Sequence, residues 1–208
     1  MGDFLRRVPQ LTLVQFHAFR DERPKEEKWE LIDGVPMMMP PPSLVHQRIC
    51  KNLDRLIDAA LSVAGLPWRA DREIGVLLPD DEKYNPEPDV TVIDMDIDRD
   101  QLYAERFYFV AEVLSRSDRP ERRAGSDKPH VLAAKLAYYR LHEHCRGALI
   151  VHQDRAEAQL HVRPGWDEST LVQSADRLVL PDIGDIGPLG ALYRDTPLFP
   201  GEASLRQH

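Results

Sequence analysis

The decisive stretch of the sequence is FYFVAEVL, residues 107–114, because it places a carboxylate inside an otherwise apolar run. Its aromatic and β-branched residues predict a buried strand. Burying an ionised carboxylate in such a strand is costly unless a cation pairs with it. Glu112 is therefore a candidate functional residue, and the strand around it is a candidate centre of the fold.

Two further polar residues lie on either side of this strand in the sequence. Asp89 follows PEP, residues 86–88, and opens the apolar run DVTVI, residues 89–93, so a strand is predicted with an acid at its start. Lys135 lies in VLAAKLAYY, residues 131–139, on one helix face with apolar neighbours three and four residues away. A single acid at a strand start usually caps a turn, but three such residues in one span favour a shared site.

Two carboxylates and a lysine at the end of a sheet suit a divalent metal and a phosphodiester. Mg²⁺ prefers oxygen ligands and commonly uses one or two carboxylates together with phosphate oxygens. A lysine can orient or deprotonate the attacking water and stabilise charge that develops on phosphorus. We expect Asp89, Glu112 and the Val113 carbonyl to hold one Mg²⁺ or Mn²⁺, with Lys135 acting on the water.

The same residues resemble the PD-(D/E)XK nuclease superfamily, which has the restriction-endonuclease-like fold. Pro88-Asp89 corresponds to the first half of its motif, and Glu112-Val113-Leu114 corresponds to the second half. In that pattern a lysine stands two residues after the second acid, where this chain has Leu114. The resemblance therefore implies that Lys135 supplies the amine from the following helix.

A closer resemblance covers most of the chain and is carried by WELIDG (29–34), PPS (41–43) with His46, Pro88-Asp89, EVLS (112–115), and Lys135 with Tyr139. These segments resemble the Uma-type family of restriction endonucleases. The resemblance implies a Mg-dependent endodeoxyribonuclease-like hydrolase that cleaves DNA phosphodiester bonds, with Glu30 and His46 supporting the metal ligands.

A homodimer is also expected. The N-terminal arm, the edge hairpin and the segment from Trp166 offer apolar surface beyond one compact core, and restriction-like folds commonly pair.

The patterns along the chain predict an α/β fold with a restriction-endonuclease-like core: a central mixed β-sheet flanked by helices, with an N-terminal helix and β-hairpin. We expect residues 1–28 to form an N-terminal arm, 29–195 the domain, and 196–208 a C-terminal tail. The predicted elements are a helix capped by Thr12 and Gln15, a hairpin at Asp33-Gly34, a helix from Ser43 to Gly65, strands at 70–78, 89–93, 107–114, 148–151 and 159–162, and the Lys135 helix.

Composition agrees with a soluble globular protein. The chain has 208 residues, of which 42% are hydrophobic and 30% charged, and no run reaches the length of a membrane span. No signal peptide is recognisable, so we expect a cytoplasmic protein. Cys50 and Cys145 do not make a disulfide framework; each is expected to be a buried free thiol in a helix.

The net charge of -8 leaves an alternative open, because DNA-binding proteins usually carry a basic surface. Residues 80–105 hold ten acids against Lys83 and Arg99, so this segment accounts for the net charge. The alternative is a catalytically inactive nucleic-acid-binding or protein-interaction module on the same fold. The acids of residues 94–100 resemble a calcium loop, but Arg99 stands where that loop needs glycine.

Two other segments have competing interpretations. The loop at residues 115–128 is basic enough to contact phosphate as a lid, although an unstructured loop is an equal alternative, and its match to the family is the weakest. His142, His144 and Cys145 invite a zinc interpretation. They lack a fourth ligand at zinc spacing, which favours a structural role at a helix end.

Overall fold

The computed structural model describes residues 10–114, 128–199 and 201. The structure does not describe residues 115–127. All but the last residue of the lid predicted at 115–128 therefore lie outside the described residues. The elements in chain order are α1 (Leu13–Asp21), β1 (Lys28–Ile32), β2 (Val35–Met39), α2 (Leu44–Ala64), β3 (Trp68–Asp71), β4 (Gly75–Val76), β5 (Val90–Asp94), β6 (Tyr103–Ala104), β7 (Phe107–Leu114), α3 (Lys128–Leu141), β8 (Gly147–His152), β9 (Glu157–Val162), β10 (Ser169–Gln173), β11 (Arg177–Leu180), β12 (Gly184–Pro188) and a 3₁₀ helix (Leu189–Tyr193).

A mixed six-stranded sheet forms the centre of the fold, in the order β10-β9-β8-β7-β5-β3. Strands β7 and β8 are parallel, and every other neighbouring pair is antiparallel. Helix α3 connects the parallel pair, as a crossover between parallel strands requires. The predicted α/β class and the central mixed sheet are confirmed.

Helices cover both faces of this sheet. Ala111 and Leu149 pack in a core cluster with α2, whereas Val110 and Ala148 pack in a second cluster with the α3 tyrosines. Successive residues of a strand point to opposite faces, so the two clusters lie on opposite sides of the sheet. Glu112 has the same parity as Val110 and therefore faces α3.

Helix α2 has the ends that its sequence predicts. The Ser43 side chain accepts a hydrogen bond from the backbone N–H of His46, and Gly65 ends the helix in the left-handed region at φ 63°. Ile49, Leu53, Ile57 and Leu61 form its buried stripe. Because the cap lies beside His46, the start of the helix also fixes the position of a predicted site residue.

The N-terminal hairpin is also as predicted. Strands β1 and β2 pair antiparallel around Asp33 and Gly34, whose φ angles of 50° and 75° suit the tight turn of a two-residue hairpin. The pair forms a sheet of its own and contacts α3. Helix α1 has the predicted capping box, and Phe16 is fully buried.

Residues 70–78 do not form the single strand that was expected. The segment divides into β3, in the central sheet, and β4, which pairs in parallel with β6. Glu73 lies between them with a φ of 57°, and a non-glycine residue in this region interrupts an extended run. Cys145 is likewise not in a helix, because α3 ends at Leu141; both cysteines are nonetheless buried and free.

Among the described residues, no helix combines the length and the apolar character that crossing a membrane requires.

Candidate active site

The fold brings Asp89 and Glu112 to the same edge of the central sheet. Strands β5 and β7 are antiparallel with Val90 opposite Ala111, so the start of one lies beside the end of the other. The backbone N–H of Val113 donates to Oδ2 of Asp89 at 2.7 Å. The N–H and C=O of one strand residue point to the same side of that strand. The Val113 carbonyl therefore points to the side on which Asp89 lies.

Lys135 reaches this edge from α3 and pairs with two buried acids. Its Nζ atom lies 2.6 Å from Oε1 of Glu112 and 3.0 Å from Oε2 of Glu30. All three residues are at most 8% exposed. Oε2 of Glu30 has no hydrogen-bond partner in the described part of the chain, so its contact with Lys135 is an ion pair without hydrogen-bond geometry. The buried carboxylate of β7 thus has the cationic partner that its burial demands.

Tyr139 holds the same carboxylate from the next turn of α3. Its hydroxyl donates to Oε1 of Glu112 at 2.6 Å. Lys135 and Tyr139 are four residues apart, which places them on one face of the helix. A single helix face therefore fixes the orientation of Glu112.

The charges of this cluster set its protonation. Burial lowers the pKa of Lys135, but the attraction of Glu112 and Glu30 outweighs burial and raises the pKa above its ordinary range. Burial raises the pKa of Glu112 to about 7, with Lys135 opposing that rise and Asp89 adding to it. Lys135 therefore stays an ammonium ion at neutral pH. In that form it stabilises negative charge and cannot take a proton from water.

His46 and Asp89 form a second pair at the same edge. His46 Nε2 lies 3.0 Å from Oδ1 of Asp89, and the two side chains are 12% and 15% exposed. Burial lowers the pKa of His46, but the hydrogen bond and charge of Asp89 outweigh it and raise the pKa overall. Burial raises the pKa of Asp89, whereas His46 and the Val113 N–H lower it below the ordinary value, and the lowering is larger. Both shifts favour an imidazolium paired with a carboxylate.

The five predicted site side chains thus lie in two linked groups. Glu112, Lys135 and Glu30 form one, Asp89 and His46 form the other, and the adjacent positions Glu112 and Val113 join them. The catalytic and metal-binding roles of these residues remain predictions.

The donor set fits a hard divalent cation. It consists of two carboxylates and one backbone carbonyl, and oxygen ligands of this kind are those that Mg²⁺ and Mn²⁺ prefer. A carboxylate offers about four acceptor positions. Asp89 uses two for His46 and Val113, and Glu112 uses two for Lys135 and Tyr139. Each carboxylate therefore keeps acceptor capacity for a metal.

Cys50 is a neighbour of this site that the sequence did not single out beyond a buried thiol. The described part of the chain contains one group of three histidine, cysteine or acidic residues whose potential ligand atoms all lie within 4.8 Å of one another. The group consists of His46, Cys50 and Asp89. The only signal for it in the sequence is the spacing of His46 and Cys50 by four residues, which places both on one face of α2. The contact with Asp89 depends on the tertiary fold.

Lys28 on β1 is a second residue that the sequence did not identify. Its Nζ atom lies 3.5 Å from Glu73 and 3.6 Å from Glu87. Burial lowers its pKa, but Glu87, Glu73, Glu30 and Asp89 together raise it. Its side chain is 28% exposed, so this cation borders the acidic cluster and also faces solvent.

The histidines after α3 have structural partners. His142 stacks on Phe107 with ring centroids 4.1 Å apart, and its Nε2 lies 3.0 Å from the carbonyl of Glu105. These contacts agree with the structural role that the sequence favoured for the histidine cluster.

A mixed sheet between helices, with Asp89, Glu112 and Lys135 together at one end of its strands, agrees with the restriction-endonuclease-like fold class. The chain belongs to the Uma2 family, described as "Putative restriction endonuclease", which it matches over residues 13–187. The family predicted from the sequence is confirmed.

A solved structure supports the fold. The chain resembles a protein from Anabaena variabilis described as "a putative nuclease belonging to DUF820", with a TM-score of 0.65 and 15% sequence identity. The likeness covers 88% of this chain and 97% of the other. A search of curated proteins finds no match.

Proposed function

We propose that this protein is a metal-dependent endonuclease that hydrolyses phosphodiester bonds of DNA. The observation that carries the proposal is the placement of Lys135 2.6 Å from Glu112, at the sheet edge where Asp89 also lies. Nothing in packing alone requires three ionisable side chains to converge at this edge, whereas metal-assisted hydrolysis uses all three.

Asp89, Glu112 and the Val113 carbonyl would hold Mg²⁺ or Mn²⁺. When bound, the ion supplies Lewis acidity, which polarises the phosphate and lowers the pKa of a bound water. His46 holds Oδ1 of Asp89 and the Val113 N–H holds Oδ2, so that the carboxylate is orientated before the metal arrives. Such pre-orientation raises the affinity of a metal site.

Lys135 serves as a fixed positive charge for the transition state. Since its pKa is raised, it stays protonated and stabilises negative charge on the phosphate oxygens. Glu30 is a positioning residue: as the second acid beside Lys135, it would keep the ammonium paired where Glu112 serves as a metal ligand. Lys28 lies at the border of the site with part of its side chain in solvent, which suits a contact to a DNA phosphate.

The test is nicking of supercoiled plasmid DNA by the purified protein in Mg²⁺, in Mn²⁺ and in EDTA. We expect nicking with either metal, none in EDTA, and none with Asp89→Ala in any condition. Nicking that persists in Asp89→Ala would contradict the proposal, since it would come from another site or from a contaminant.

The second candidate is an inactive nucleic-acid-binding or protein-interaction module. The net charge of -8 favours its protein-interaction form, because an acidic protein attracts DNA weakly. Metal binding without nicking of any plasmid form would select this alternative. The cytoplasmic location, the homodimer and the division into arm, domain and tail stay as predictions from the sequence.

A further inference from the structure

The side chains of His46, Cys50 and Asp89 form a cluster on the α2 side of the site. His46 and Cys50 are four residues apart on α2, so they occupy one face of the helix. Asp89, the residue directly before β5, lies beside them. Their potential ligand atoms lie within 4.8 Å of one another, and Cys50 is 5% exposed.

The donor types of this cluster differ from those of the proposed magnesium site. An imidazole nitrogen, a thiolate sulfur and a carboxylate oxygen are the three ligand types that zinc takes in proteins, whereas Mg²⁺ takes oxygen. The His46 ring also has spare capacity, because its buried Nδ1 finds no hydrogen-bond partner among the residues that the structure describes. Three protein ligands with a fourth position left to water is the usual arrangement of a zinc site open to solvent.

The distances suit a tetrahedral ion after a small contraction. Zinc bonds are about 2.3 Å to sulfur and about 2.0–2.2 Å to nitrogen and oxygen, so ligand atoms around one ion lie roughly 3–4 Å apart. A cluster whose ligand atoms lie within 4.8 Å of one another needs to close by about 1 Å to hold such an ion.

We propose that His46, Cys50 and Asp89 bind a thiophilic divalent cation, Zn²⁺ being the model ion, and that this ion competes with Mg²⁺ for Asp89. Binding deprotonates the thiol and releases its proton to solvent, together with the imidazolium proton where His46 is charged. Because one carboxylate serves both sites, zinc withdraws a ligand from the magnesium site. This inhibitory consequence rests on the proposed nuclease function, whereas zinc binding itself does not.

Cobalt substitution tests the site without any assay of activity. Co²⁺ bound to a thiolate gives a sulfur-to-metal charge-transfer band in the near ultraviolet. We expect the band in the wild type and in Cys145→Ser, and its loss in Cys50→Ser. Cys145 is the matched control because it is the other buried free cysteine of the chain. A band that survives in Cys50→Ser, or its absence from the wild type, would overturn the proposal.

A second measurement avoids altering the site, should Cys50→Ser fail to fold. Cys50 is the sole thiol of the Cys145→Ser protein, since the chain has two cysteines. Cys50 is buried, so it reacts with a disulfide reagent only when the site opens. We expect Zn²⁺ to slow this reaction by a factor on the order of 10 or more, because a bound ion keeps the site closed and shields the thiolate. Mg²⁺ at the same concentration is the control ion and should slow the reaction much less, because it prefers oxygen ligands and does not bind the sulfur. An equal rate with and without Zn²⁺ would count against the site.

The inhibitory consequence is measured as nicking in Mg²⁺ with added Zn²⁺, relative to the zinc-free rate of the same variant. We expect strong inhibition of the wild type and of Cys145→Ser, and a shift of the inhibiting zinc concentration by a factor on the order of 100 in Cys50→Ser, since the softest ligand is gone. Equal inhibition of Cys50→Ser would refute the competition. Absence of nicking in every variant would refute the nuclease function instead, and the cobalt band would still decide the zinc site.

Discussion

The Nζ atom of Lys135 lies 2.6 Å from Oε1 of Glu112, and both residues are buried. The contact joins α3 to β7. Each charge is tolerated in the interior because the opposite charge lies beside it. The pair is therefore a structural element, and its proposed catalytic role needs a test separate from stability.

Lys135→Ala should destabilise the protein by about 3–5 kcal/mol, because it leaves Glu112 and Glu30 as buried acids without a cation. Adding Glu112→Gln to that variant should recover part of the loss, since it removes one of the two unpaired charges. Urea unfolding of the wild type, the single and the double variant measures both effects. A single variant as stable as the wild type would show that the ion pair contributes nothing.

Metal binding should depend on the two carboxylates and much less on the lysine. We expect Asp89→Ala and Glu112→Ala to abolish binding of Mn²⁺ in titration calorimetry, because each removes a ligand. Lys135→Ala should bind the metal largely as the wild type does, provided that circular dichroism confirms folding. Unchanged binding in Asp89→Ala would place the metal elsewhere in the protein.

The His46 imidazole of the metal-free protein should titrate above its ordinary pKa of 6.5. Its charged form is favoured in the folded state, so its contribution to stability is full below pH 6.5 and is lost as pH rises through the folded pKa. The lowered pKa of Asp89 acts in the opposite sense: its contribution is present above pH 3.8 and is lost as pH falls through the folded pKa. An NMR titration should show the His46 pKa falling in Asp89→Asn; an unchanged value would mean that the pair does not form in solution.

A substitution of Gly75 on β4 tests the part of the fold that was predicted wrongly, namely the division of residues 70–78 into two strands. A Cβ atom there would lie 2.8 Å from the Tyr103 ring and 2.9 Å from the Asn85 amide, so Gly75→Ala should cost about 1–3 kcal/mol by overpacking. Gly165→Ala is the matched control, because no atom of the described residues lies within 4 Å of its Cβ position. Thermal unfolding compares the two variants, and equal stabilities would contradict the pairing of β4 with β6.

Local signals explain what could be predicted of the fold. The Asp33-Gly34 turn, the Ser43 cap and the Gly65 end act within a few residues, and all three are where the sequence indicated. The division of residues 70–78 was not predictable from alternation, because it depends on the left-handed conformation of Glu73 and the close packing of Gly75.

The site residues that could be predicted are those whose charge is unusual for the surrounding sequence. Glu112 and Lys135 are charges in apolar stretches, and burial forces such charges to meet a partner. Cys50 and Lys28 fit their local surroundings, and apart from the four-residue spacing of His46 and Cys50 nothing in the sequence distinguishes them. Cys50 lies near Asp89, and Lys28 lies near Glu87, because the fold brings together segments that are distant in the sequence.

The measurement that tests the central claim most directly is the rate of Mg²⁺-dependent plasmid nicking by the wild type, Lys135→Ala and Lys51→Ala. Lys51 is the control because it is an exposed lysine, on α2. We predict that Lys135→Ala lowers the rate by a factor on the order of 100 or more while Lys51→Ala keeps it, since a buried ammonium in a dry site stabilises the transition state. Nicking by Lys135→Ala at the wild-type rate would contradict the account.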